Sequence, residues 1–270
     1  MAEAPPAALT IAGSDNSAGA GAQADLKTFG ALGVYGLTAI TCVVAEVPGR
    51  VSAIQPVDPA IVREQIRLSL DAFPVAAMKT GLLHSRDVIE TVCDILDELF
   101  ARRGSRLPLV VDPVMVATSG DPLLKSDAVA VYTERFFKLA ALVTPNMDEA
   151  RALLGSPVAT VEEMKAAGRE LSGKFGVPFL LKGGHLKGGA ATDLLFAGGE
   201  VREFTAPFVP GVATHGTGCT YSAAITAGLA KGLPLTRAIA GAKEFVTRAI
   251  TGHFSWPREG GPTAALNHFL

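Results

Sequence analysis

The chain has 270 residues, of which 49% are hydrophobic and 19% charged, proportions that exclude a disordered chain and are ample for a core. Lys and Arg number 24 against 26 Asp and Glu, a formal charge of −2, which argues against a nucleic-acid binder working through a broad basic surface. Three cysteines, Cys42, Cys93 and Cys219, are too few and too scattered for a disulfide framework or a thiolate metal cage, and a reducing cytoplasm is expected. The segment Met1–Pro6 carries Glu3 and no Lys or Arg, so it lacks the positive region of a signal peptide.

In chain order, short apolar or β-branched runs alternate with longer amphipathic segments, the pattern of an α/β fold with a mostly parallel sheet. Strands are predicted at Leu9–Ala12, Leu37–Ala45, Val75–Lys79, Leu109–Asp112, Leu142–Thr144 and Phe179–Lys182. The uncharged stretch Thr28–Ala45 is nearly long enough to span a bilayer. Gly30, Gly33, Gly36, Thr38 and Thr41 interrupt it, so it is read as a helix end, a turn and a buried strand, with no membrane span. Asp58-Pro59 opens a helix to about Phe73, and Ser85 opens another with Val88, Val92, Ile95 and Leu99 on one face. Thr160 and Glu163 form a capping-box pattern ahead of Met164, Ala167 and Leu171. Past Lys182 the rhythm changes: Gly183-Gly184 and Gly188-Gly189 bracket a loop, and Asp193–Phe196 and Val201–Phe204 form a predicted hairpin around Ala197-Gly198-Gly199. Helices from about Thr217 to Lys231 and Leu235 to Thr251 close the pattern, without internal repeats or linkers, so residues 1–270 are expected to be one domain.

Three motifs could carry chemistry. Gly19-Ala20-Gly21 with Ala24 imitates a GxGxxA dinucleotide fingerprint, with Glu46 ending the second strand, but five residues separate Gly13 at the strand end from Gly19. No GxxxxGK[ST] occurs. The second motif, Thr214-His215-Gly216-Thr217-Gly218-Cys219-Thr220, opens a helix of small residues. Backbone N–H groups there can converge on an anion, aided by about half a positive charge from the helix dipole. The same dipole would favour a Cys219 thiolate, making it a base or nucleophile; a small packing residue in a tight turn is the other reading. The third, Asn146-Met147-Asp148-Glu149, follows a strand and is either a capping box or a holder of Mg²⁺-bound water. Asp112 and Lys182 end two other strands, on the rim where open α/β sheets bind ligands.

Taken together, Ala8–Asp15, Gly19–Thr28, Ser119-Gly120-Asp121-Pro122-Leu123-Leu124, Lys182-Gly183-Gly184-His185 and His215–Thr220 resemble the hydroxymethylpyrimidine/phosphomethylpyrimidine kinases of thiamine biosynthesis, members of the ribokinase-like superfamily. The likeness runs from about Ala8 to about Phe269. It implies a three-layer αβα sandwich with a mostly parallel sheet and a small antiparallel edge, usually a homodimer. It also implies MgATP-dependent phosphorylation of a pyrimidine hydroxymethyl group and then of the monophosphate. Gly216, Thr217 and Gly218 would form the anion hole, and Cys219 matches the catalytic position, where many relatives carry an aspartate. Asn146 and Glu149 match an Asn-x-x-Glu magnesium motif, Asp112 would lie beside the metal, and Lys182 near the ATP phosphates. Ala20, Asp25, Glu46, Leu82 and Val114 would serve the pyrimidine pocket.

Two departures stand out. The family typically has glutamine where this chain has Glu46. A glutamine amide both accepts and donates, whereas an ionised carboxylate only accepts. Glu46 is therefore protonated, or pairs with a protonated ring nitrogen, or reads another ligand. That keeps in view a pyridoxal kinase of the same superfamily, and also a narrowed use in which the monophosphate is accepted and the free alcohol poorly. The second departure is a longer C-terminal run from Gly260-Gly261-Pro262 to His268-Phe269, which leaves His268 without an assigned role. His185, His215 and His253 show no metal-ligand spacing. A dinucleotide-dependent oxidoreductase and a catalytically idle relative are the remaining alternatives. The presence of Asp112, Asn146, Glu149, Lys182 and Cys219 disfavours the second.

Overall fold

The computed structural model describes residues 3–115, 124, 126–184, 190–210, 212, 215–259 and 261–270. Ser119 to Leu123, His185, Gly188-Gly189 and Thr214, all used in the sequence reading, lie outside the described residues. In chain order the elements are β1 (Ala7–Asp15), α1 (Gly21–Ala31), β2 (Tyr35–Val47), β3 (Arg50–Pro56), α2 (Pro59–Ala72), β4 (Val75–Thr80), α3 (Arg86–Arg103), β5 (Leu109–Val111) and α4 (Ser126–Glu134). They continue with β6 (Leu142–Val143), α5 (Met147–Leu154), α6 (Val161–Phe175), β7 (Phe179–Gly183), β8 (Ala190–Ala197), β9 (Glu200–Pro207), α7 (Thr217–Ala230), α8 (Leu235–Thr251), β10 (Phe254–Trp256) and β11 (Thr263–Ala265).

Among the described residues nine strands form one sheet in the order β3-β2-β1-β4-β5-β6-β7-β8-β9. The strands from β2 to β7 pair in parallel. Successive side chains on these strands enter opposite cores: Leu109 and Val111 pack with α2 to α6, while Val110 packs with α7 and α8. Ala8 and Ala77 join Phe29 of α1 and Ala223 of α7 on that second face. Burial on both faces is why these strands read as continuous apolar runs, and the expected three-layer αβα arrangement results.

The antiparallel edge expected at β8 and β9 is present, with Ala197 paired to Glu200 across Gly198-Gly199. Both glycines have positive φ, 58° and 83°, as a tight hairpin turn requires. The opposite edge is antiparallel too, because β3 pairs with β2 across Pro48-Gly49. The sequence reading missed β3: Arg50, Ser52 and Gln55 give it no apolar face, and Ser52, Gln55 and most of its neighbours are exposed. It also missed the β10–β11 pair, whose second strand lies in the longer C-terminal run.

Helix starts follow local rules. Asp58 accepts from the Ala60 N–H with Pro59 in the first turn, Ser85 from Val88 N–H, and Thr160 with Glu163 closes a full capping box. No described helix is long and apolar enough to cross a membrane.

Candidate active site

The parallel strands end on one rim. It carries Asp15 from β1, Gly81-Leu82 after β4, Asp112 after β5, Asn146 after β6 and Lys182 from β7. Asp112 is almost fully buried. Its Oδ1 accepts from Lys182 Nζ at 2.8 Å and Thr144 Oγ1 at 3.2 Å, and its Oδ2 from Ser222 Oγ at 3.3 Å. Burial opposes its charge, yet Lys182 and Lys79 hold the carboxyl below its usual range. Burial likewise opposes the Lys182 cation, and the attraction of Asp112 and Glu149 raises it above the usual lysine value.

This ion pair stands against the first turn of α7. A Cβ placed on Gly218 would lie 3.2 Å from Lys182 Nζ and 3.5 Å from Asp112 Oδ2. Gly216, at φ +80°, caps the helix and approaches the loop after β1 so closely that a Cβ there would lie 1.7 Å from the Gly19 carbonyl oxygen. No side chain caps α7, and Thr217 Oγ1 is buried without a partner among the described residues. An unpartnered hydroxyl and uncapped helix N–H groups in the first turn of α7, with the Lys182 ammonium beside Gly218, suit an anion with several acceptor oxygens.

A family model described as phosphomethylpyrimidine kinase matches residues 15–264. The chain belongs to the phosphomethylpyrimidine kinase family. It is a phosphotransferase of the ribokinase-like fold. The hydroxymethylpyrimidine/phosphomethylpyrimidine kinase of Rhizobium meliloti is 46% identical over 245 residues, 90% of each chain. The thiamine biosynthesis bifunctional protein ThiED of Geobacter sulfurreducens is 44% identical over 262 residues, 97% of this chain and 52% of that protein. Among solved structures, Bacillus subtilis pyridoxal kinase in its ADP complex matches with a TM-score of 0.87 and 36% identity, covering 98% of this chain and 97% of that one.

The kinase brings most of the sequence-selected residues to this rim. Ala20 is the residue before α1, and its N–H donates to Asp15 Oδ2 at 2.8 Å. Leu82 and Cys42 flank Gly13, where a Cβ would lie 3.5 Å from Leu82 Cδ2 and 2.8 Å from Cys42 Sγ. Val114 is partly buried just beyond Asp112. Asn146 and Glu149 do form the capping box of α5, with N–H to carboxylate and N–H to amide oxygen distances of 2.7 and 2.8 Å. Glu149 is nonetheless buried at the rim, and burial, reinforced by Asp112, pushes its carboxyl up to about 8.

Two expectations meet a different structure. Asp25 is fully buried behind the rim. Lys79 Nζ donates to both its oxygens at 3.0 and 2.9 Å and Thr10 Oγ1 to one at 2.5 Å, so its carboxylate faces a lysine rather than a pocket. The lowered Cys219 thiol is not found: burial pushes it up to about 11, with Asp25 and Asp112 adding repulsion, against pulls from Lys79 and the Gly21 N–H. Desolvation outweighs those pulls. His268, given no role, is buried and shares a 3.0 Å hydrogen bond with Thr220, and burial drives its ring down to about 4. It therefore ties the C-terminal segment to α7 as a neutral group.

Glu46 also becomes clearer. Burial raises its carboxyl, the Asp15 charge adds to this, and His215 pulls only partly the other way. Sequence reasoning passed over Lys79, Asp15, Asp193 and Lys243. A lysine at the end of the apolar run Val75–Met78 was the visible signal for the first.

Proposed function

We propose that the kinase, acting as a single catalytic domain, transfers the γ-phosphoryl group of ATP to 4-amino-5-hydroxymethyl-2-methylpyrimidine, to its monophosphate, or to both, as a step in thiamine biosynthesis. The observation that carries this reading is the Lys182–Asp112 pair at 2.8 Å, set against a helix N-terminus with an unpartnered Thr217 hydroxyl. Phosphoryl transfer asks for positioned phosphates and neutralised charge more than covalent chemistry. Lys182 and the N–H groups of Gly216 to Cys219 would take the oxygens of the transferring group. In the transfer a bond forms from the acceptor oxygen to the γ-phosphorus, the bond from that phosphorus to the β–γ bridging oxygen breaks, and ADP leaves.

The donor set suits Mg²⁺. Among the described residues no group of three or more His, Cys, Asp and Glu could cage a metal, and Mg²⁺ takes one or two carboxylates with waters and phosphate oxygens. Asp112 and Glu149 would supply those carboxylates, and the ion would offset phosphate charge. We further assign a homodimer, from the family resemblance, and a cytoplasmic setting, supported by three unpaired cysteines.

The two acceptors differ chemically. A hydroxymethyl group must lose a proton during transfer, and Cys219 is the residue placed to accept it as a thiolate. A phosphate monoester is already largely dianionic at neutral pH, with a second pKa of about 6, and needs no base. Cys219→Ala should therefore lose at least about a hundredfold in turnover of the alcohol, with ATP affinity kept and the monophosphate reaction much less affected. Near-normal alcohol turnover in that variant would sink the base assignment.

Glu46 bears on substrate choice. Burial and the Asp15 charge shift its carboxyl toward the protonated form, and a protonated carboxyl accepts through C=O and donates through O–H as a glutamine amide does. That supports pyrimidine recognition despite the departure from glutamine. The likeness to pyridoxal kinase favours the second reading, phosphorylation of pyridoxal. Mass-resolved products from an equimolar mixture of the alcohol, its monophosphate and pyridoxal decide between them: pyridoxal phosphate as main product would overturn the pyrimidine assignment.

A further inference from the structure

Asp15 is 1% exposed and lies at the end of β1, yet neither reading of the site so far gives it a task. Its Oδ1 accepts from the Ser17 N–H at 2.7 Å. Its Oδ2 accepts from Ser17 Oγ at 2.9 Å, Gly19 N–H at 3.1 Å, Ala20 N–H at 2.8 Å and His215 Nε2 at 3.2 Å. The loop from Asn16 to Ala20 is thus folded around one carboxylate, with Ala18 held at φ +57°. On its outer side Asn16 Oδ1 accepts from the Glu46 N–H at 2.7 Å. Burial opposes the Asp15 charge, but the bonds from His215, Ser17 and Ala20 keep the carboxyl below its usual range, so His215 serves as the donor.

His215 comes from the other half of the site, next to Gly216, and its ring packs on Gly19, where a Cβ would meet His215 Cδ2 at 2.8 Å. A further contact between the halves is Gly216 against the Gly19 carbonyl. The loop carries the acceptor-side residue Ala20 and touches Glu46, and the turn carries the phosphoryl-side N–H groups. We propose that Asp15 and His215 form a latch that fixes the acceptor loop to the phosphoryl-binding turn and so sets the alignment of the two reactants. Both are positioning residues, acting through the loop and the turn. The proposal rests on the assignment of loop and turn to acceptor and phosphoryl group made above.

A latch of this kind affects the transition state more than binding, since small misplacements of two reactants cost rate steeply. The test uses the full chain with ATP and the pyrimidine monophosphate. His215→Ala should lower kcat about tenfold or more, with both KM values within about twofold, and His215→Gln, which keeps a donor, should restore most of the rate. Asp15→Asn combined with His215→Ala should lose no more than the worse single variant, because both break one connection. Unchanged kcat in His215→Ala, failure of His215→Gln to rescue, or a double variant losing the product of the two single losses would overturn the latch. Should Asp15→Asn fail to fold, the two His215 variants decide alone. Absence of pyrimidine diphosphate from the unaltered kinase would instead refute the assignment on which the latch rests.

Discussion

Gly218→Ala separates the stability of the site from its chemistry. Gly218 lies in the first turn of α7, and its φ is not in the left-handed region, so alanine fits the backbone. Replacing a helical glycine by alanine stabilises by about 0.5–1 kcal/mol. The new methyl would sit 3.2 Å from Lys182 Nζ, the end of a long side chain held in the ion pair with Asp112, and 3.5 Å from Asp112 Oδ2. A shift of Lys182 Nζ by a few tenths of an ångström within its ion pair relieves that contact, and the thermal midpoint should then hold or rise by about 2 °C in a chain of this size. The methyl, however, occupies the space between cation and helix terminus to which the proposal above assigns the phosphoryl oxygens. Displacing one donor from a site that stabilises developing charge costs about 10²–10³ in rate. Monophosphate turnover by coupled ADP release, with the melting midpoint measured on the same preparation, gives both quantities. A variant that melts normally and keeps kcat/KM within about threefold would refute the placement of the phosphoryl group here.

Three further outcomes follow from the electrostatics. Because Cys219 stands near 11 as a thiol, its thiolate fraction rises about tenfold per pH unit below that value. Alcohol turnover should therefore climb between pH 7 and 9 while monophosphate turnover does not, and parallel profiles would reject the thiolate as base. Glu46 loses its donor as pH rises through its raised pKa, so the ratio of wild-type to Glu46→Gln monophosphate kcat/KM should fall with increasing pH; a constant ratio rejects the neutral-carboxyl reading. Lys243 Nζ bonds Asp193 Oδ2 at 2.6 Å with both groups largely buried, and Asp193 Oδ1 accepts the Gly183 N–H at 3.0 Å. Lys243→Met leaves that carboxylate uncompensated and should lower the urea unfolding free energy by about 3–5 kcal/mol, whereas Lys243→Met with Asp193→Leu should recover part of it. A single-variant loss under about 1 kcal/mol would show that the pair is dispensable.

Much of the fold was legible because its signals are local. Asp58-Pro59, Ser85 and Thr160 with Glu163 each cap the helix they precede through atoms two or three residues away. The parallel strands announced themselves by burial on both faces. β3 did not, since its place depends on pairing with the protruding half of β2 rather than on a buried face: Val43 and Val47 of β2 are themselves exposed.

The site divides along the same line. Gly216 to Cys219 could be read from the sequence because a glycine-rich helix start is a local device, and Lys182 and Asp112 because strand ends are a topological one. Asp15 and His215 are 200 positions apart, Lys79 and Asp25 are 54 apart, and Lys243 and Asp193 are 50 apart. No periodicity or spacing rule joins such partners; each is a charged or polar group that must find a counterpart once the sheet closes over it. Cys219 shows the consequence for chemistry. Its helix start promised a thiolate, and burial, with added repulsion from Asp25 and Asp112 on distant segments, keeps it a thiol. The chemistry of this rim is therefore set by its local motifs only as far as placement goes; protonation is decided by burial and by the charges that distant segments bring beneath it.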